Sequence, residues 1–179
     1  MVETNNGKNI IDMGCDIHVY LEKKVKVNGE LKWVNCDYYR KNEYYEEGSG
    51  DGSEKEFNIV QFYGGRNYTL FGILAGVRDG YNIQISEPKG LPDDVTPEVK
   101  SISDYWGSDA HTHSYLTINE IYDFLRSVPI IKQSSNPNDN PLKRFLEKMI
   151  TRYEGEFWDF ESTKDENGDY FRAVFWFDN

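Results

Sequence analysis

The pair Asn28-Gly29 constrains the fold of this chain more than any other short feature. It lies between the segments CDIHVYLEKKVKV and ELKWVN, in which apolar and polar residues alternate. Asn-Gly is the preferred two-residue connection of a β-hairpin, because both positions adopt positive φ angles that most residues avoid. The sequence therefore predicts an N-terminal hairpin. In its first strand, residues 17, 19 and 21 form the apolar face, and Asp16 and His18 point to the opposite face.

The C-terminal segment EFWDFESTKDENGDYFRAVFWFDN predicts a second hairpin, with Asn-Gly-Asp in its turn. Between the two hairpins, hydrophobic periodicity and capping residues indicate three to four helices. Strands at both ends of a chain with helices between them are typical of the α+β class. We therefore expect an antiparallel sheet built from the N- and C-terminal hairpins, with three to four helices packed on one side of it.

Capping signals predict where the helices begin and end. The first helix is expected to begin near Arg66 and to end near Gly80. Thr96 is the expected N-cap of a second helix, with Pro97 at its first position. The capping box TINE opens a third helix. The segment PLKRFLEKMITRY predicts a fourth, amphipathic helix, whose inward positions are Leu142, Phe145, Leu146 and Met149.

The length of 179 residues suits a single domain with a substantial core. Residues 1–12 are polar and predict a flexible leader, followed by one α+β domain over residues 13–179. Within that domain, residues 36–58 are acidic and rich in glycine and serine, which indicates a mobile loop. The tyrosines of this loop either stack on a ligand or, as the commoner outcome, pack against the body of the domain.

The charge of the chain restricts its partners. With 31 Asp and Glu residues against 20 Lys and Arg residues, the formal net charge is −11. Such an acidic surface repels duplex nucleic acid. No apolar run reaches the roughly 18 residues of a membrane span, and no apolar signal region follows the N-terminus. We therefore expect a cytoplasmic protein with reduced cysteines and no membrane partner, with homo-oligomerisation as an open alternative.

Aspartate and histidine alternate in two segments. In DAHTHSYL, Asp109, His111 and His113 are spaced as three ligands on one face of an extended strand, and Asp16 and His18 have the same spacing in CDIHVY. Imidazole and carboxylate groups arranged in this way can bind a divalent cation. A bound cation could polarise a phosphoryl oxygen or activate water. We therefore predict a metal site formed by these five residues, with Zn, Mn or Fe as the cofactor.

A metal-free site would use the same histidines. His111 or His113, assisted by Asp109, would act as a general acid or base, because imidazole titrates near neutral pH. Arg66 or Arg78 would hold a phosphate. The structural alternative is that neighbouring carboxylates simply satisfy histidines on a strand. The predicted substrate contacts are Arg66, Asn67, Tyr68, Arg78, Trp106 and Ser114.

The segments CDIHVYLE, GRNYTLFGILAGVRDG, EPKGLPDDV and DAHTHSYLTINEI together resemble a family of small proteins common in phages and prophages. The motifs that carry the resemblance are C-D-I-H, R-N-Y-x-L-F-x-x-L-A-G-V-R and D-x-H-x-H-S, and it covers roughly residues 13–127. The resemblance implies a phage accessory protein that acts against host nucleotide metabolism or nucleotide-based immune signalling, which is an anti-defence role. It implies no particular reaction.

Three functions agree with these patterns. The first is a metal-dependent hydrolase that acts on a nucleotide or another phosphoester. The second is a non-catalytic sponge that binds a nucleotide in the same pocket, with tyrosines and Trp106 stacking on the base. The third is an acidic inhibitor that binds another protein through the charged residues 43–56. The alternation of aspartate and histidine favours the hydrolase.

Overall fold

The computed structural model describes residues 14–48, 55–78, 83–128, 140–154 and 168–179. Its strands are β1 (Asp16–Val27), β2 (Glu30–Asn35), β3 (Tyr38–Lys41), β4 (Phe57–Val60), β5 (His111–Thr117) and β6 (Phe171–Asp178). Its helices are α1 (Tyr68–Ala75), α2 (Pro97–Trp106), α3 (Ile118–Ser127) and α4 (Pro141–Glu154). Short 3-10 turns at Gly107–Asp109 and Gly168–Tyr170 precede β5 and β6.

Four strands form an antiparallel sheet in the order β2-β1-β6-β5. Asn28 and Gly29 connect β1 to β2, and their φ angles of 51° and 90° are those of a two-residue hairpin turn. The predicted N-terminal hairpin is therefore confirmed. β1 also pairs with β6, from Asp16 opposite Asp178 to Lys23 opposite Phe171. Strands from the two ends of the chain thus lie side by side, and the α+β prediction is confirmed.

β6 has a partner on each of its edges. β1 lies along one edge and β5 along the other. The predicted C-terminal hairpin would take its other strand from residues 155–167, which lie outside the described ranges. Because β1 and β5 occupy both edges, β6 pairs with these distant strands rather than with a hairpin neighbour.

Helices cover both faces of the sheet. On one face, α1, α3 and α4 pack over the apolar side of β1. On the other face, Val99 of α2 packs near Trp176 of β6. The expectation that all helices lie on one side is therefore wrong. Helices lie on both faces because β6 is buried at every position from 171 to 177, so both of its faces need cover.

Two helices begin where their predicted capping residues place them. α2 begins at Pro97 after Thr96. In α3, the N–H of Glu120 donates to the hydroxyl of Thr117, and the carboxylate of Glu120 accepts the N–H of Thr117 at 2.8 Å. The inward positions of α4 are buried as predicted, namely Leu142, Phe145, Leu146 and Met149.

No helix in the described ranges is both long and apolar enough to cross a membrane.

The first helix is shorter than the sequence predicts. α1 ends at Ala75, because Gly76 adopts a left-handed φ of 68° and its N–H donates to the carbonyl of Gly72. The prediction of a helix end near Gly80 is therefore wrong. A glycine inside the apolar repeat acts here as the C-cap rather than as a helical residue.

Part of the predicted mobile loop at residues 36–58 forms regular structure. β3 and β4 pair as a separate two-stranded antiparallel sheet. The predicted loop is thus wrong for these two strands. Tyr38, Tyr39 and Tyr44 expose 67%, 53% and 86% of their surface, so they are not packed into the domain. Residues 49–54 and the predicted leader at residues 1–12 lie outside the described ranges.

A buried ion pair joins the two central strands. Glu22 on β1 lies opposite Arg172 on β6, and the guanidinium donates to its carboxylate at 2.8 Å. Both side chains are almost fully buried. The other oxygen of Glu22 accepts the backbone N–H of Thr96 at 2.7 Å. Arg172 also donates to Asp94 at 2.7 Å and stacks on the ring of Trp33. This network ties the segment before α2 to the sheet.

Candidate functional site

His18 lies in an aromatic cluster on the α2 face of the sheet. Its ring centroid is 4.3 Å from that of Trp106 in α2 and 5.7 Å from that of Trp176 in β6. Its Nε2 atom is 3.3 Å from a carboxylate oxygen of Asp178, without hydrogen-bond geometry. Only 9% of the residue surface is exposed. Packing rather than access to solvent therefore dominates the surroundings of this histidine.

His113 belongs to the same cluster. Its ring centroid is 5.7 Å from that of Trp176, and its Nε2 atom shares a hydrogen bond of 2.9 Å with the hydroxyl of Ser103. Burial, and to a smaller extent the nearby His111, lowers the pKa of His113 below its ordinary value. These effects favour the neutral form of the imidazole. This state suits a structural hydrogen bond or a general base.

A β-bulge separates the two histidines of DAHTHSYL. The pairing of β5 with β6 is interrupted after His111, where Thr112 has a left-handed φ of 54°. His111 stacks on Phe177, which belongs to the core under α1, α3 and α4. His113 stacks on Trp176, whose side chain points to the other face of the sheet. The prediction that the two histidines share one face is therefore wrong, because the bulge changes the alternation of the strand.

The five predicted metal ligands do not come together. Asp16 accepts two hydrogen bonds from Arg66, at 2.8 and 2.6 Å, and these bonds lower the pKa of its carboxyl. Asp109 is exposed at the end of the 3-10 turn before β5. His111 and His113 lie on opposite faces of the sheet. Within the described ranges, no group of three or more His, Cys, Asp or Glu side chains is placed to hold a metal ion. These residues therefore do not fit the predicted Zn, Mn or Fe site.

Three of the predicted substrate contacts lie at the start of α1, where each has a structural partner. Arg66 is engaged in the ion pair with Asp16. Asn67 is the N-cap of the helix, and its side-chain oxygen accepts a backbone N–H of the first turn at 3.0 Å. The hydroxyl of Tyr68 accepts the backbone N–H of Cys15 at 3.4 Å. Arg66 and Tyr68 thus anchor the beginning of the helix to the start of β1, and Asn67 caps the helix itself.

The other predicted contacts are dispersed. Ser114 is buried, and its hydroxyl accepts a backbone N–H of the loop before α2 at 3.2 Å. Trp106 covers the ring of His18. Arg78 follows α1 with a left-handed φ of 56° and lies near the thiol of Cys15, whose pKa is raised by burial. The two predicted phosphate-holding arginines thus both lie near the start of β1, where Arg66 pairs with Asp16 and Arg78 lies near Cys15.

Replacing Thr112 with asparagine is expected to give a melting temperature about 2–4 °C higher than replacing it with valine. Both variants lose the hydroxyl that lies 2.8 Å from Nδ1 of His111, so the comparison cancels that loss. A β-branched residue at a φ of 54° is strained, whereas asparagine tolerates the left-handed region, and relief of roughly 1 kcal/mol accounts for the difference. Thermal unfolding followed by circular dichroism measures both variants, and equal melting temperatures would argue against strain.

A basic groove lies along α4 and is lined by none of the three histidines. It is a cavity of about 710 Å³ between α4, β3 and the segment after β4, and we call it the α4 groove. A second cavity of about 190 Å³ shares two of its basic residues and also includes Tyr63 and Asn67. Of the predicted site residues, only Asn67 lines either cavity. The residues that line the α4 groove are Tyr38, Phe62, Arg144, Glu147, Lys148, Thr151 and Arg152.

Three cations of α4 line this groove at intervals of four residues. Arg144, Lys148 and Arg152 form one stripe of the helix, which spans about 12 Å at 1.5 Å per residue. The guanidinium carbon of Arg152 lies 3.5 Å from the ring centre of Tyr38, and the ammonium of Lys148 lies 5.9 Å from that of Tyr63. The groove thus combines positive charge with aromatic rings on a protein whose net charge is −11.

The basic stripe has a signal in the sequence, but it was not predicted as a site. The segment RFLEKMITR carries basic residues at four-residue intervals. Helical periodicity alone assigns them to the polar side of an amphipathic helix. Whether these basic residues form a binding site depends on Tyr38 and Phe62, which come from distant segments of the chain. Only the fold brings these rings alongside α4.

A buried carboxylate lies near the wall of the α4 groove. Asp37 accepts the N–H of Leu21 at 2.8 Å and the side-chain amide of Asn35 at 2.9 Å. Burial raises its pKa to about 6, against the opposing effect of these hydrogen bonds and of the nearby Arg152. Arg152 also donates to the carbonyl of Cys36 at 3.5 Å. Contacts with this segment therefore hold Arg152 at the wall of the groove.

Comparison of the chain with protein-family models, with curated proteins and with solved structures gave no match. Function must therefore be inferred from the residues of this chain. Two features could carry chemistry, and they differ in kind. The histidine cluster, formed by His18 and His113 beside Trp176, is buried or half-buried, whereas the α4 groove is charged and open enough to receive a small molecule.

Proposed function

We propose that the protein binds a phosphate-bearing small molecule of the nucleotide class in the α4 groove and holds it without hydrolysing it. The observation that carries this proposal is the stripe of Arg144, Lys148 and Arg152 beside the rings of Tyr38 and Phe62. The volume of about 710 Å³ is in the range of small-molecule sites. Such a pocket matches a ligand that has both an anionic group and a planar ring.

The cations of the stripe favour a phosphate over other anions. The forked guanidinium of Arg144 can donate two parallel hydrogen bonds to phosphate oxygens, and Lys148 adds a compact positive charge. The acidic surface elsewhere, with a net charge of −11 for the chain, repels a long polyanion. A small phosphate ester is therefore favoured over duplex nucleic acid.

The exposed ring of Tyr38 favours a ligand with a base. One face of this ring carries the guanidinium of Arg152 at 3.5 Å, and 67% of the residue surface is accessible. Stacking of a base on an aromatic side chain contributes about 1–3 kcal/mol and does not depend on which base it is. A nucleotide would use the ring and the cations together.

Holding the ligand is favoured over hydrolysis. None of His18, His111 and His113 lines the groove, and no group of side chains in the described ranges is placed to hold a metal. The metal-dependent hydrolase that the alternation of aspartate and histidine favours therefore lacks support from the geometry. With the resemblance to phage proteins, sequestration of a host immune signal in the cytoplasm is the proposed biological role.

Calorimetric titration with AMP, ADP and ATP tests this proposal. We expect wild-type binding that weakens with added salt. The variants Arg144→Gln and Lys148→Gln should each lower the affinity about tenfold or more, because each removes charge-assisted hydrogen bonds to phosphate. Lys100→Gln is the matched control. It removes one positive charge from an exposed ion pair with Asp104 on α2, so the affinity should stay within about twofold.

The fate of the ligand and the metal content separate the alternative functions. Nucleotide recovered unchanged by mass spectrometry after incubation supports sequestration. Turnover that disappears in His113→Ala would instead support acid/base chemistry at the histidine cluster. Near-stoichiometric Zn, Mn or Fe that is lost in His111→Ala would restore the metal-dependent hydrolase. A wild-type protein that binds none of the three nucleotides would overturn the proposal.

A further inference from the structure

A carboxylate lies among the cations of the α4 groove. Among the described residues that line this groove, Glu147 is the only acidic one. Its side chain is 50% exposed and forms an exposed ion pair with the ammonium of Lys143 at 3.7 Å, which is too long for a hydrogen bond. A carboxylate at this place repels a bare phosphate. Phosphate binding alone therefore does not account for the chemistry of the groove.

We propose that Glu147 accepts hydrogen bonds from the sugar hydroxyls of the ligand, so that the α4 groove selects a ribose phosphate over its 2′-deoxy counterpart. This inference rests on the proposed binding of a nucleotide and specifies the class of ligand. It makes Glu147 a specificity-determining residue that contacts the ligand.

The order of residues along α4 matches the order of groups in a nucleotide. At 1.5 Å per residue, Glu147 lies about 4.5 Å beyond Arg144 along the helix axis and about 7.5 Å before Arg152. Arg152 stacks on Tyr38, which places the aromatic end of the groove there. A ligand with its ring at Tyr38 and its phosphate at Arg144 has its sugar beside Glu147. Lys148 follows Glu147 in the helix, but its ammonium lies toward the Arg144 end, 5.9 Å from the ring of Tyr63, which lines the second cavity together with Arg144. Base, sugar and phosphate thus meet a ring, a carboxylate and cations in turn.

A carboxylate is suited to vicinal hydroxyls. When ionised, it only accepts hydrogen bonds, and its two oxygens can accept from two neighbouring hydroxyls. Acidic side chains recognise ribose hydroxyls in this way in dinucleotide-binding folds. The nearby hydroxyl of Thr151 already donates to the backbone carbonyl of Glu147 at 2.9 Å, and the charged carboxylate is a stronger acceptor than this hydroxyl. A 2′-deoxy sugar has one donor fewer.

Parallel titrations of AMP and 2′-deoxy-AMP into the full chain test the inference. We expect the wild-type protein to bind AMP about five- to tenfold more tightly, which is the effect of one hydrogen bond to a half-exposed charged group. Glu147→Ala should bind the two nucleotides nearly equally. It should bind pyrophosphate at least as tightly as the wild type, because a repulsive charge is removed. Glu98→Ala, which removes another exposed carboxylate from a helix, is the matched control and should keep the preference.

The outcomes distinguish this inference from the proposed function. Equal wild-type affinities for AMP and 2′-deoxy-AMP would overturn the inference and leave nucleotide binding intact. A preference that survives in Glu147→Ala would overturn it as well. If the wild type binds neither nucleotide, both the inference and the proposed function fail. Glu147→Gln keeps an acceptor oxygen without the charge, so an intermediate preference in that variant supports the assignment.

Discussion

Replacing Glu22 with alanine is expected to lower the free energy of unfolding by about 3–5 kcal/mol. The substitution leaves the guanidinium of Arg172 buried without the carboxylate that lies 2.7 Å away. It also removes the acceptor of the Thr96 N–H, which is buried at the start of α2. A loss of this size is a large fraction of the stability of a typical domain. Urea denaturation followed by tryptophan fluorescence measures it.

A double replacement, Glu22→Leu with Arg172→Met, provides the critical comparison. Apolar side chains of similar volume often replace a buried ion pair with little loss, because no charge is then buried without a partner. We expect the double variant to be more stable than Glu22→Ala, although the contact with Asp94 is lost in it. The control Lys100→Ala breaks an exposed pair and should change the stability by less than about 1 kcal/mol. A double variant as unstable as the single one would refute this account of the network.

Replacing Trp176 with alanine is expected to destabilise the protein by about 3–5 kcal/mol. This side chain is fully buried. Its ring centroid lies 5.7 Å from those of His18 and His113 and 5.3 Å from that of Tyr20, so its removal opens a cavity at the centre of the cluster. Near-ultraviolet circular dichroism and chemical denaturation follow the loss of packing.

Trp176→Phe is the matched variant for this prediction. Within the described part of the chain, Nε1 of Trp176 is buried without a hydrogen-bond partner. Phenylalanine therefore loses volume but no hydrogen bond, and we expect a smaller loss of about 1–2 kcal/mol. A loss for phenylalanine as large as that for alanine would mean that Nε1 donates to a partner such as a bound molecule.

Local features of the fold were predictable from the sequence because their signals involve neighbouring residues. The Asn28-Gly29 turn depends on two positive φ angles in succession, and the capping box of Thr117 and Glu120 spans a single helical turn. The end of α1 was mispredicted because Gly76 interrupts an apolar repeat that continues beyond it. A glycine that ends a helix and a glycine that is tolerated inside a helix cannot be told apart from the local sequence.

The candidate site was harder to predict because it depends on residues that are far apart in the chain and on a bulge that has no characteristic sequence pattern. The bulge that places His111 and His113 on opposite faces has threonine at its left-handed position, where glycine or asparagine would have been a signal. Glu22 and Arg172 are separated by 150 positions, and no local sequence pattern predicts their contact. The basic stripe of α4 is visible in the sequence, but only the strands of the folded domain supply the rings beside it.

The central position of β6 has a consequence for the synthesis of the protein. β1 and β5 emerge from the ribosome long before residues 171–178, with which both of them pair, and the pairing reaches across 162 positions at Asp16. Until β6 has been translated, the edge of β1 that pairs with it has no strand partner. Completion of the sheet is therefore expected only after β6 has left the ribosome, and contacts of such long sequence separation make this step slow. The unpaired edge of β1 makes the nascent chain prone to aggregation during this interval.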